Sequence, residues 1–335
     1  MKKVLAGIIN VLLFSFIIPL NLAPSGAAQG GEVLKFDMPV PVTSSWGVGA
    51  QRFGELLAEK TGGKYTLRIY ANSQLSGGSQ PQALQMFQAG NIDVTLHGSL
   101  TWAGTNVRIG APALPWLFTG WDDAIEKMDG EAGELIFNEV RKSGGRPLAY
   151  GISGFRQLFN NIRPVSTPED LKGLKIRVPG NAMYVDLFKI LGADPVPMSA
   201  SELYTALQQG AVDGQENPAD MTITQRFCEV LKYMTVWDYS CETTILSVSN
   251  GVWDRLSESE RLLFSEAGRQ AMKEQIVAAR ERNDGYMRQL VDEYKIQIIE
   301  LNAEQIETFR TLAAPIYDQY RDSIGLGLYK ALGIK

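Results

Sequence analysis

Two periods of apolar spacing follow one another between residues 34 and 98. LKFDM (34–38) reads as a strand, and from Trp46 to Lys60 the apolar residues Phe53, Leu56 and Leu57 fall on one helical face. The TGG at 61–63 breaks that helix, and YTLRIY (65–70) alternates as a half-buried strand does. QPQALQMFQ (80–88) predicts a second helix closed by Gly90, and IDVTLHG (92–98) a third strand.

Residues 166–217 repeat this grammar. Pro168 opens a short helical turn where its missing N–H costs nothing; LKIRV (174–178) is a strand stopped by Pro179-Gly180. AMYVDLFKI (182–190) predicts a helix, DPVPM (194–198) an extended piece, and SELYTALQQ (201–209) a helix with Ser199 and Glu202 spaced as a capping box. AVDGQEN (211–217) is the closing strand. Gln88-Ala89-Gly90-Asn91-Ile92-Asp93 parallels Gln209-Gly210-Ala211-Val212-Asp213. The pattern predicts a duplicated α/β lobe.

Helices dominate the C-terminal part. A helical pattern capped by Ser257 and Glu260 runs to about Tyr294, on the order of 55 Å at 1.5 Å per residue. It either kinks near Gly285 or lies across both lobes. Another helix, Ala303 to Asp322, follows Asn302 as its cap.

The N-terminus changes the picture of where these lobes work. Lys2 and Lys3 precede an apolar run from Val4 to Leu20, and SGAAQG follows, the three parts of a secretory signal peptide with cleavage expected near Ala28. Asn10, Ser15 and Pro19 interrupt the run, which argues against a membrane anchor. Loss of residues 1–28 removes two lysines and no acid, moving the net charge from -5 to -7. A patternless acidic surface argues against nucleic acid as a partner. Two cysteines, Cys228 and Cys241, leave room for one disulfide in an oxidising compartment, provided the geometry fits.

Catalytic patterns are missing. The single histidine, His97, excludes multi-histidine metal sites, and the two cysteines have no C-x-x-C spacing. There is no phosphate loop, Walker lysine or G-x-S-x-G elbow. No metal or cofactor is expected. Binding is better supported by position, because ligands of open α/β sheets sit beyond the carboxyl ends of strands. Arg177 ends LKIRV, Asn217 ends AVDGQEN, and Arg156 stands in GFRQL. A guanidinium matches a carboxylate with two parallel bonds. His97 at a strand end, with Trp46 and Trp102, completes the candidate set. Each has a plainer reading: a helix cap for Asn217 before Pro218, solvated charges for the arginines, a polar strand end for His97 and core packing for the tryptophans.

LKGLKIRVPG (171–180) and SELYTALQQGAVDGQENP (201–218), with NSQLSGG, ALPWLF and GFRQLFNN upstream, resemble the solute-binding proteins of tripartite ATP-independent periplasmic (TRAP) transporters, the DctP-like group. The resemblance implies a two-lobed α/β fold of the periplasmic binding protein (Venus-flytrap) type, with a long helix spanning both lobes. Lobe I is expected from residues 29–153 and about 243–282, lobe II from 154–242 and about 283–335. It implies that Arg177 pairs with a ligand carboxylate, that Asn217 contacts the same group and that Arg156 assists. The implied partners are a small organic acid and two membrane subunits, the protein itself being a monomer without enzymatic activity. Sialic-acid binders of the family carry a glutamate and an arginine where this chain has Gly98 and Thr101, and Ala200 stands where an aromatic residue is common. Sialic acid is therefore disfavoured, and a small monoanion with an uncharged remainder is expected. A binding protein of an ATP-driven importer or a sensor, and a periplasmic enzyme on a similar scaffold, are the alternatives.

Overall fold

A computed structural model describes residues 31–334; the expected signal peptide lies outside the described residues. Strands β1 (Glu32–Asp37), β2 (Tyr65–Tyr70) and β3 (Val94–Gly98) are parallel, with β1 in the middle. The helices Ser45–Lys60 and Gln80–Gln88 connect them, as the spacing predicts. Antiparallel strands β4 (Gly145–Asn160) and β8 (Tyr233–Ser249) join this half to a second one. There β5 (Lys175–Val178) lies between β6 (Asp194–Pro197) and β7 (Gly214–Asn217), again parallel. With β9 (Gln297–Glu300) on β8, the nine strands form one sheet in the order β2-β1-β3-β8-β4-β7-β5-β6.

The shared phrase is a shared device. Asp93 and Lys35 exchange two bonds: Lys35 N donates to Asp93 Oδ2 at 2.8 Å, and Asp93 N donates to Lys35 O at 3.0 Å. Asp213 and Lys175 do the same, with both bonds at 2.8 Å. In each half a glycine in the left-handed region, Gly90 at φ +78° and Gly210 at +68°, turns the chain out of the preceding helix. The aspartate then pins the incoming strand beside the first one. Both third strands therefore start later than their apolar residues suggest, at Val94 and Gly214.

Local patterning does not indicate the length of β4 and β8, 16 and 17 residues. Glycines and a proline interrupt GRPLAYGISGFRQLFN, and the β4–β8 register shifts between Pro147 and Ala149, Ile152 and Gly154, and Arg156 and Leu158. Such bulges bend a strand and re-aim its side chains. Gly154, at φ +131°, packs where a Cβ would meet Asn283 Nδ2 at 2.8 Å.

The helix Glu258–Asp292 runs unbroken through Gly285, so the kink does not form; its 35 residues reach about 52 Å. Gln275 bonds both the N–H (3.2 Å) and the carbonyl (3.1 Å) of Ile152 in mid-β4, and Asn283 Nδ2 donates to Ser153 O at 2.8 Å. Near its start Phe264 packs with Phe36, Phe53 and Leu96 of the first half; near its end Leu290 packs with Phe159, Leu203 and Leu207 of the second. The predicted helix over 303–322 is two helices, Ala303–Ala313 and Pro315–Ile324, because Pro315 has no N–H to continue the first. Cys228 and Cys241 are free and buried in separate apolar clusters, so no disulfide joins them. Among the described residues no helix is long and apolar enough to cross a membrane.

Candidate functional site

The carboxyl ends of β5 and β7 meet a bulged stretch of β4, and β8 closes the group from the other side. Pairing sets Gln157 opposite Asn217 and Leu158 opposite Glu216, which brings Arg156 over the end of β7. Arg156, Arg177, Asn217 and Trp46 then line one cavity with Leu100, Thr101, Ala200 and Glu242. Its volume is about 30 Å³, room for only one or two water molecules. A hollow of about 300 Å³ shares Gln80, Leu100, Thr101 and Pro179 with it.

The two arginines are in opposite situations. Arg156, 2% exposed, is paired with two carboxylates. Its Nε and Nη2 donate to the Glu216 carboxylate, Nη1 to Glu242 Oε2, and Nη2 also to Glu216 O at 2.7 Å and Asn217 Oδ1 at 3.0 Å. Burial alone would lower its pKa, but Glu216 and Glu242 more than offset this and hold it well above the ordinary arginine value. Tyr239 also donates to Glu216, and the Arg156 guanidinium lies over the Tyr184 ring at 5.7 Å.

Arg177, 3% exposed, has no ion pair among the described residues. Nε and Nη2 donate to the Met198 carbonyl at 3.0 and 2.7 Å. Burial, with the like charge of Arg156, pulls its pKa down to about 10. A buried cation hydrogen-bonded only to a carbonyl, with Glu216 and Glu242 acting on it without direct contact, is incompletely compensated, and an incoming anion would relieve it. Asn217 presents its Oδ1 to Arg156 and donates from Nδ2 to Gln215 Oε1.

Two of the expected residues stand apart from the cavity wall. His97 is fully buried and its Nε2 lies 2.9 Å from Asp37 Oδ2, so its ring faces β1 within the sheet. Trp102 is a core residue, edge-on to Phe87 at 5.8 Å between ring centres. Conversely, Glu216 and Glu242 belong to the site and were not singled out. Glu216 adjoins Asn217 in the quoted QENP, and an acid inside a buried strand was a signal. Glu242 is the lone charged residue of the buried stretch from Tyr239 to Val248. Burial pushes its carboxyl pKa up, against the pull of Arg156. Among the described residues no group of three or more His, Cys, Asp or Glu is placed to hold a metal.

The profile of the family described as "Bacterial extracellular solute-binding protein, family 7" (DctP) matches residues 36–323. The 2,3-diketo-L-gulonate-binding periplasmic protein YiaO of Escherichia coli (strain K12) is 30% identical over 276 residues, 82% of this chain and 80% of its own. The C4-dicarboxylate-binding periplasmic protein DctP of Rhodobacter capsulatus is 29% identical over 319 residues, 95% of each chain. A TRAP periplasmic solute-binding protein from Ralstonia eutropha H16, solved with bound (S)-2-acetolactate, superposes with a TM-score of 0.86 at 29% identity, covering 90% of this chain and 98% of its own. Family and relatives are solute-binding proteins, which removes the enzyme alternative. The two-lobed α/β architecture with one long helix is theirs as well. The chain belongs to the bacterial extracellular solute-binding protein family 7, the DctP-like solute-binding proteins of TRAP transporters.

Proposed function

We propose that this protein captures a small organic acid between the two halves of its sheet, with Arg177 as the anchor of the ligand carboxylate, and hands it to TRAP membrane subunits. The observation that carries this is Arg177 itself: a buried guanidinium beside a cavity, bonded to one carbonyl and to no carboxylate. Asn217 adds a side-chain amide at the same edge. Arg156 holds that amide in place and keeps its own charge matched by Glu216 and Glu242, so it supports the anchor rather than gripping the acid. The three relatives support a carboxylate in particular, since 2,3-diketo-L-gulonate, C4-dicarboxylates and 2-acetolactate all carry one. A neighbouring hollow of about 290 Å³, lined by Trp121, Phe155, Asp238 and Asp284, has no cation in its wall and does not suit an anion.

The cavity of about 30 Å³ is smaller than any of these acids, so entry requires its faces to part. Lobe I from residues 31–153 and about 243–282, and lobe II from 154–242 and about 283–334, are the moving bodies in this reading. The bulges of β4 supply the bend, and contacts such as Ser201 Oγ to Gly78 O (3.2 Å) and Asn181 Nδ2 to Leu100 O (3.2 Å) hold the mouth shut. Export through cleavage near Ala28 and action as a monomer complete the proposal. Mass spectrometry of the small molecule that copurifies, followed by calorimetry with that acid on wild type and Arg177→Ala, tests it. A tightly held acid whose binding survives Arg177→Ala would remove the anchor.

A further inference from the structure

Glu242 does something in this site that charge matching does not require. Its Oε2 accepts from Arg156 Nη1, but its Oε1 accepts no hydrogen bond from any described residue, while the side chain lines the cavity. The space that Oε1 occupies exists because residue 98 is glycine: a Cβ there would sit 2.4 Å from Oε1 and 3.5 Å from the Trp46 ring. Gly98 needs no left-handed backbone, since its φ is -65°; what it provides is room for that oxygen. Arg156 is already held by Glu216 through two side-chain bonds and a carbonyl, and Tyr239 braces Glu216 in turn. A second acid is superfluous for keeping Arg156 in place.

The charges in and behind the wall also balance before any ligand arrives. Arg156 and Arg177 face Glu216 and Glu242, two cations against two anions. Arg177 and Glu242 lie near enough for each to act on the other's charge. One carboxylate can settle on Arg177. A second one, reaching across a cavity this small, would meet Glu242 rather than an unpaired cation, because Arg156 is already ion-paired to both Glu216 and Glu242.

We propose that Glu242 reads the ligand: its Oε1 accepts a hydrogen bond from a hydroxyl or ammonium group of the acid held by Arg177, so the site selects donor-bearing monocarboxylates and turns away dicarboxylates. This rests on Arg177 being the carboxylate anchor. It narrows the ligand class by a residue of β8, on the side of the cavity away from the anchor.

The experiment is calorimetry on full-length exported protein, stripped of copurifying ligand, with named acids. D- and L-lactate, D- and L-glycerate and gluconate make the hydroxyl arm; D- and L-alanine make the ammonium arm. Propionate and hexanoate are the matching acids without a donor, and succinate carries the second carboxylate. A hydrogen bond to an ionised group predicts that wild type binds a member of one donor arm roughly 10- to 100-fold tighter than its plain counterpart. Glu242→Ala should bring that ratio to within about threefold and should strengthen succinate, because the wall becomes net positive. Glu242→Gln keeps an acceptor and removes the charge, so it should cut the hydroxyl preference only partly, to roughly 2- to 10-fold, and abolish the ammonium one, which tells the two donors apart. It also serves where the alanine variant fails to fold. The inference is overturned if wild type takes propionate, hexanoate or succinate as tightly as every donor-bearing acid, or if both variants keep the wild-type ratio. In those cases binding lost in Arg177→Ala leaves the anchor standing, whereas indifference to that substitution, or no binding of any acid, brings down both.

Discussion

Replacing Arg177 by methionine should leave the protein about as stable as it was and unable to hold its acid. Burial brings Arg177 from the ordinary 12.5 to about 10. At about 1.4 kcal/mol per pH unit, keeping it charged at pH 7 costs the folded protein about 3 kcal/mol. Methionine removes that cost and fills similar volume, but it leaves the Met198 carbonyl without its two donors, a loss of about 1–3 kcal/mol. The terms nearly cancel, so stability should stay within about 2 kcal/mol of wild type. Arg156→Met is the internal control. It strands Glu216 and Glu242 as adjacent buried acids and should cost about 3–5 kcal/mol.

Binding should separate the two arginines further. Loss of one member of a desolvated charge pair costs about 2–5 kcal/mol, roughly 30-fold to several-thousand-fold in affinity. Arg177→Lys should rescue poorly, because a point charge cannot reproduce a two-pronged contact. Urea denaturation without added acid gives the stabilities, and calorimetry with the tightest acid gives the affinities. If Arg177→Met destabilises as much as Arg156→Met, Arg177 is a structural residue. If Arg177→Lys binds as well as wild type, the two-pronged contact is wrong.

Trp102→Ala should cost about 3–5 kcal/mol of stability as a core deletion while changing acid affinity less than about threefold; Trp46→Ala, in the cavity wall, should weaken binding by more than that in the same calorimetry. Bonds from Lys64 and the Ser257 N–H hold the Glu260 carboxyl down to about 2. Its folded pKa lies below the unfolded one of about 4.3, so its contribution is present above about pH 5 and lost as pH falls towards 2. For a solvent-screened pair this is about 1 kcal/mol, and Glu260→Gln should flatten the acid limb of a stability–pH curve by that amount. Saturating acid should reduce the radius of gyration measured by small-angle scattering, and an unchanged value in protein first shown to be ligand-free counts against hinge closure.

Positions in this site were legible; their sum was not. Arg177 and Asn217 stand at strand ends that local patterning locates, since Pro179-Gly180 and Pro218 mark where the chain leaves the sheet. The capping boxes at Ser199 and Ser257 and the helix-closing glycines 90 and 210 are equally local, and all formed. His97 ends its strand in the same way, yet pairing with β1 turns its ring onto Asp37, which one strand's pattern does not record. Whether Arg156 grips a ligand or two glutamates is decided by residues 60 and 86 positions away, brought together by β4–β7 and β4–β8 pairing. A one-residue slip of β8 would send Glu242 to the opposite face of the sheet. Arg156 would then keep Glu216 alone, the wall would be net positive, and a dicarboxylate would fit where a hydroxy acid is proposed. The charge class proposed for the ligand thus depends on a register set through three bulges, and nothing in the sequence around Glu242 states it.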